Sequence, residues 1–207
     1  HLVAEGRHQS AVDADMKLVE AIALKHGGKA IENTIPKILR ANPFPPVNSM
    51  VGPDGERWVP VHGFLPHSRL VEGWNRIQQL FADHQAEMDE LGVAAGAMLA
   101  AVSRSTCLIE PVVFWPDALE AIHCRSLEAD HLAKLNRFPP NAASRALVDK
   151  LRAGIIRIFR ELDATHLQVA RAYPLEEASD PHAWAILKAV KQTVDPKGLM
   201  NPGSLGL

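Results

Sequence analysis

The chain has 207 residues, 47% hydrophobic and 22% charged, with 22 Lys and Arg against 24 Asp and Glu. That length and apolar share fit a globular chain of one large or two small domains. A net charge of −2 argues against a nucleic-acid binder, whose footprint is a basic patch. No apolar run approaches the ~18 residues of a membrane-spanning helix.

The two cysteines, Cys107 and Cys124, form no C-x-x-C, which excludes a disulfide framework and a four-cysteine zinc site. The chain opens at His1 inside the apolar stretch Leu2-Val3-Ala4, without a Met, and so reads as a piece of a longer protein. With no targeting segment visible, a cytoplasmic location is the default expectation.

Ser10 and Asp13 resemble a capping box. Val12, Met16, Val19, Ile22 and Ala23 then keep helical spacing up to the stop at Gly27-Gly28. Lys29–Asn33 is expected as a short strand. Thr34–Gly55 is rich in Pro and Asn and reads as a long irregular connection, anchored by Phe44 and Val47. A strand is expected over Arg57–Phe64. An amphipathic helix over Ser68–Leu91 presents Leu70, Trp74, Ile77, Phe81 and Met88 on one face and closes at Gly92.

Val93–Ser103 and Thr106–Trp115 follow as two strands. Asp117 and Glu120 are expected to cap a helix to about Leu135, and Ala143–Leu162 forms a long amphipathic helix. Asp180-Pro181 is an N-cap with proline at the first helical position; its helix ends at Asp195-Pro196. The opening segment, the first helix and Lys29–Asn33 are read as strand, helix, strand, and the same order recurs before residue 117, the requirement for a ferredoxin-like sheet. The expected fold is α+β, a ferredoxin-like antiparallel sheet with helices on one face plus a C-terminal helical segment. The doubled βαβ sheet is expected over 1–116 and the helical extension with its C-terminal tail over 117–207, the two forming one continuous domain.

The sharpest local signal is the ending, Asp195-Pro-Lys-Gly-Leu-Met-Asn-Pro-Gly-Ser-Leu-Gly-Leu207. Pro196 cannot continue a helix, and Gly198 and Gly203 permit positive φ, giving a helix stop and tight turns. Such a tail presents backbone N–H groups and the Asn201 amide. This tail resembles the ending of the FAD-linked oxidases of the vanillyl-alcohol oxidase and p-cresol methylhydroxylase family, which includes glycolate and D-lactate dehydrogenases. Ile31–Thr34, Arg40–Phe44, Trp58–Ser68 and His166–Pro174 resemble further landmarks of the C-terminal half of such enzymes.

The resemblance implies a cap domain that covers the flavin ring and forms the substrate pocket. A separate N-terminal domain of the same parent chain would bind most of the FAD, since no G-x-G-x-x-G occurs here. The parent would oxidise a CH–OH or benzylic substrate by hydride transfer to flavin, and homo-oligomerisation is open. Departures from the family pattern are the absent His-rich Gly-Asp-Gly-Asn motif and Ser204, where Lys or Arg is usual. Lys197 or Arg171 would then supply positive charge near the flavin, with Asn201 beside it.

Within that frame His62, at a strand end, is either the acceptor of the substrate proton or a structural hydrogen-bonding histidine. His67 is a substrate-side candidate or a helix-start residue. His166 opens an expected strand to Val169 and belongs to pocket or packing. Arg171 and Tyr173, two apart on an extended segment, would point the same way and cradle an oxyanion, or else form a solvated edge. His62 and His67 lack the spacing of H-E-x-x-H and a third ligand, so no metal site is expected. The alternative is a non-catalytic ferredoxin-like module for ligand binding or assembly, since the fold hosts many functions. A zinc hydrolase is the third reading.

Overall fold

The computed structural model describes residues 4–32 and 34–207. The chain divides into two compact units, His1–Pro46 and Val47–Leu207.

The first unit is helical among the described residues. α1 spans Gln9–Lys25 and α2 spans Ile35–Ala41. The stop after α1 is the one the sequence signalled. Gly27 takes φ 79°, and the Gly28 N–H reaches back to the Ala23 carbonyl at 2.8 Å. A Cβ on Gly28 would lie 2.8 Å from that same carbonyl oxygen, so the reversal needs glycine. The capping box is not formed: α1 starts at Gln9, Ser10 lies inside it, and no side chain caps it.

Residues 29–32 form no strand, and Asn33 lies outside the described residues. A strand needs a hydrogen-bonded neighbour; here residues 28–32 instead line a groove of about 730 Å³ with Met16, Val19 and Ala23 of α1. The stretch read as irregular contains α2, with Pro36 in its first turn. Phe44, expected as an anchor, is 93% exposed.

In the second unit a 3-10 turn at Val47–Met50 precedes β1 (Arg57–Pro60) and β2 (Gly63–Pro66). Val51 is buried here, whereas Val47, the other expected anchor, is exposed. α3 (His67–Asp83) and α4 (Gln85–Leu91) replace the single expected helix, and β3 (Ala94–Ala101) and β4 (Thr106–Trp115) follow. α5 (Ala121–Ser126) and α6 (Ala129–Leu132) replace the single helix expected up to Leu135. α7 (Ala142–Glu161), α8 (Leu175–Ala178) and α9 (Pro181–Val194) complete the order.

The α+β fold is as the sequence implied, and the sheet is antiparallel. β4 pairs along one edge with both β1 and β2, from Arg57↔Trp115 to Pro66↔Thr106. Its other edge pairs with β3, from Ala94↔Phe114 to Ala101↔Cys107. β2 and β3 therefore run parallel on either side of β4, joined by α3 and α4: a split βαβ. After α7 the chain returns to the sheet at Thr165, which makes an antiparallel bridge to Phe64.

The ferredoxin-like doubling thus lies in β1/β2–α3/α4–β3 and β4–α7–Thr165. The residues before 47 contribute no strand to it among those described. α7, which the sequence reading placed in a helical extension, is the second helix covering the sheet. Its buried face of Leu147, Leu151, Ile155 and Phe159 joins Leu65, Ile77, Ile109 and Val113 in the core.

Two close approaches set this packing. A Cβ on Gly63 would fall 2.6 Å from the Phe159 ring, and one on Gly154 would fall 2.8 Å from Leu80. The second brings α7 against α3.

Asp117 fixes the junction between β4 and α7. It is 1% exposed and accepts N–H bonds from Ala118 and Asn141, both at 2.8 Å, and from the Trp115 indole at 3.2 Å. Arg145 and Arg57 supply charge at 2.9 and 3.4 Å. Burial pushes this carboxyl up, but the donors from Asn141, Trp115 and Ala118 together with Arg145 outweigh it and hold the pKa below the usual value. Asn141 caps α7 by accepting the Ser144 N–H at 3.0 Å. None of the helices described is long and apolar enough to cross a membrane.

Candidate active site

The strand expected over Arg57–Phe64 breaks at Val61 and His62, between β1 and β2, and both residues are buried. The break turns His62 toward the segment that follows α7. Its Nε2 accepts the Leu167 N–H at 2.8 Å and the Gln168 N–H at 3.3 Å. Nε2 therefore carries the lone pair and Nδ1 the hydrogen. Nδ1 lies 3.1 Å from the Tyr173 Oη, which also accepts the His62 backbone N–H at 2.9 Å. Both ring nitrogens of His62 are thus engaged within the chain. Burial lowers its pKa.

His166 stands next to it. Its Nδ1 donates to the His62 carbonyl at 2.7 Å, which leaves the lone pair on Nε2. Nε2 has no hydrogen-bond partner among the described residues. The ring stacks on Tyr173, with centroids 3.8 Å apart and planes 16° from parallel. Burial is the main cause that lowers the His166 pKa; the hydrogen bond to His62 opposes it. Tyr173 is buried, which raises its own pKa against the pull of the His62 N–H.

His166 and Tyr173 share the wall of a cleft of about 510 Å³ with Ala164, Val169, Leu175 and Ala178. The Arg160–Glu177 ion pair and Asp163 stand at its polar side. A half-buried, neutral imidazole with one free lone pair inside a largely apolar cleft can take a proton from a hydroxyl.

Arg171 and Tyr173 do not share a direction. Residues 166–173 form no strand; a turn places the Ala172 N–H on the Val169 carbonyl at 3.1 Å, with Ala170 at φ 38°. The turn sends Tyr173 inward to His62 and leaves Arg171 exposed, bonded to the Pro202 carbonyl. Only Thr165 pairs with the sheet, so the alternation assumed for a strand never applies.

His67 begins α3, away from this cluster in its contacts. Its Nδ1 accepts from the Cys107 thiol at 3.0 Å, and its Nε2 is 3.3 Å from the Ser103 carbonyl. Among the described residues no group of three or more metal-capable side chains occurs.

The tail is organised around Asp195. Its carboxylate accepts the Leu199 and Met200 N–H groups, both at 2.9 Å, and the Lys191 ammonium at 2.6 Å. The Lys191 contact first, then the Met200 and Leu199 N–H bonds, hold its pKa at about 2. The α9 cap is as expected: Asp180 accepts the His182 and Ala183 N–H groups at 2.9 and 3.1 Å. The tail then docks on the 169–173 turn, with the Leu205 N–H on the Ala170 carbonyl at 2.5 Å. Lys197 and Asn201 are exposed, and Asn201 takes φ 48°.

Sequence reasoning missed Asp163, the Arg160–Glu177 pair and the Asp195 clamp. Arg157 and Arg160 both stand on α7. The pairing of Arg160 with Glu177 depends on the path of 163–175, which no local pattern encodes.

No curated protein matches the chain. Residues 166–205, which include His166, Tyr173 and most of the clamped tail, match the family described as FAD linked oxidases, C-terminal domain.

Proposed function

We propose that the chain is the cap and substrate-side portion of an FAD-dependent oxidoreductase. The observation that carries this reading is the family match over 166–205, which falls on the segment bearing the free His166 lone pair. The residues present suit a cap: they offer a cleft wall and a proton acceptor, and leave most flavin binding to an FAD-binding domain of the parent chain. When bound, FAD accepts a hydride from a carbon that bears a hydroxyl or is benzylic.

The chain's own residues handle the proton. His166 Nε2 takes it from the substrate hydroxyl. The His62 carbonyl fixes the tautomer that makes this possible, and Tyr173 backs the ring. His62 is a positioning residue: its side chain ties Leu167, Gln168 and Tyr173 into one unit. The small-molecule substrate sits against Val169, Leu175 and Ala178, whose apolar surface excludes water.

The test is anaerobic reduction of the flavin in the full-length parent by a panel of alcohols and alkylphenols. His166→Gln is expected to slow reduction by about 10²–10³-fold, the scale of a lost general base. A flavoprotein that no member of the panel reduces, or one indifferent to His166→Gln, refutes the reading.

A further inference from the structure

We propose that the cleft beside the C-terminal tail is a binding site for a phosphate or diphosphate group of a small molecule. The cleft holds about 550 Å³ and lies across the Arg160–Glu177 pair from the His166 cleft. Three arginines line it, Arg157 and Arg160 from α7 and Arg171 from the turn opposite, against Glu176 and Glu177.

Both glutamates already have partners. Glu177 holds Arg160, and Glu176 accepts the Trp184 indole N–H at 2.8 Å. Arg157 makes no ion pair or hydrogen bond among the described residues, so one full positive charge is left over. Arg171 uses only one of its five N–H donors, on the Pro202 carbonyl.

Ile156, Leu175 and Leu205 form apolar parts of the lining. They lower the local dielectric and concentrate the positive field in the cleft. Guanidinium forks facing each other across a cleft match the oxygens of a phosphoryl group better than a single carboxylate does. A solvated helix face explains Arg157 and Arg160 alone; it does not explain why Arg171 faces them from a different element.

The test titrates inorganic diphosphate into the chain at low ionic strength by calorimetry, and FAD in a parallel arm. The expected result is saturable diphosphate binding, weakened at least tenfold by Arg157→Gln and unchanged by Arg69→Gln, whose arginine pairs with Glu72 on α3. Because Arg157 is exposed and unpaired, its variant is expected to unfold at the same denaturant concentration as the parent. If FAD also binds and diphosphate displaces it, the cofactor's own diphosphate is the occupant. If FAD does not bind, the occupant is a separate phosphorylated molecule. Absence of saturable diphosphate binding, or binding that Arg157→Gln leaves unchanged, overturns the site.

Discussion

The Tyr173 hydroxyl lies 3.1 Å from His62 Nδ1 and 2.9 Å from the His62 backbone nitrogen. One phenol oxygen therefore satisfies two buried donors, and this joins the break between β1 and β2 to the segment after α7. Tyr173→Phe removes the acceptor and leaves both donors unmatched. A loss of about 1–3 kcal/mol is expected, the cost of stranded buried polar groups, read from urea unfolding. An unchanged midpoint would show that the pair carries no stability.

Acid is expected to destabilise the fold in two windows. His62 and His166 have pKa values lowered below 6.5 in the fold, mainly by burial. Their contribution is fully present above about pH 6.5 and is lost as pH falls through their folded values. Asp195, at about 2 against 3.8, contributes above about pH 4 and loses its contribution toward pH 2. Unfolding midpoints across this range check the sign. In His62→Gln the first window is expected to shrink; stability that rises on acidification from pH 7 to 5 would contradict the account.

Asp195→Ala is expected to free the tail. Amide hydrogens of Leu199 and Met200, which now point at the carboxylate, lose their exchange protection, while those of α7 keep theirs. Hydrogen exchange read by mass spectrometry separates these outcomes. Retained protection at Leu199 and Met200 would mean that the Arg171 and Ala170 contacts hold the tail unaided.

Gly63→Ala places a methyl into the face of the Phe159 ring, where 2.6 Å is available. Phe159 is wholly buried, so the ring cannot swing away without opening the core. Overpacking of this kind costs about 1–3 kcal/mol, and a thermal unfolding scan reads it. Tolerance without loss would show that α7 shifts freely over the sheet.

Asp117→Ala strips five donors of one acceptor at the β4–α7 junction. With Arg145 partly solvated, a loss of about 3 kcal/mol is expected, at the low end for breaking a buried ion pair. Asp117→Asn is expected to lose less, because an amide oxygen still accepts the Asn141 and Ala118 N–H groups. Equal losses for both variants would show that the carboxylate charge, and not the acceptor that asparagine retains, holds the junction.

Sequence alone carried the stops at Gly27-Gly28 and Gly92, the Asp180 cap and the two long amphipathic faces, because each is written within one or two helical turns. The α+β class came from the repeated strand, helix, strand order. It did not carry which strands pair. Residues 29–33 have strand-like composition, yet 29–32 find no edge to join, whereas Thr165 reaches β2 only because α7 returns the chain there. The same limit applies at the site. His62, His166 and Tyr173 were each singled out from sequence, but the strand assumed for 166–173 pointed Arg171 with Tyr173. The turn at Val169–Tyr173 separates them, and the tail, far along the chain, docks on that turn through Leu205 and Pro202.

The most direct measurement is the visible absorption spectrum of the protein as its native source produces it. Visible flavin absorption is expected on a polypeptide that contains this chain. A colourless native protein, with no flavin recovered on denaturation, would contradict it.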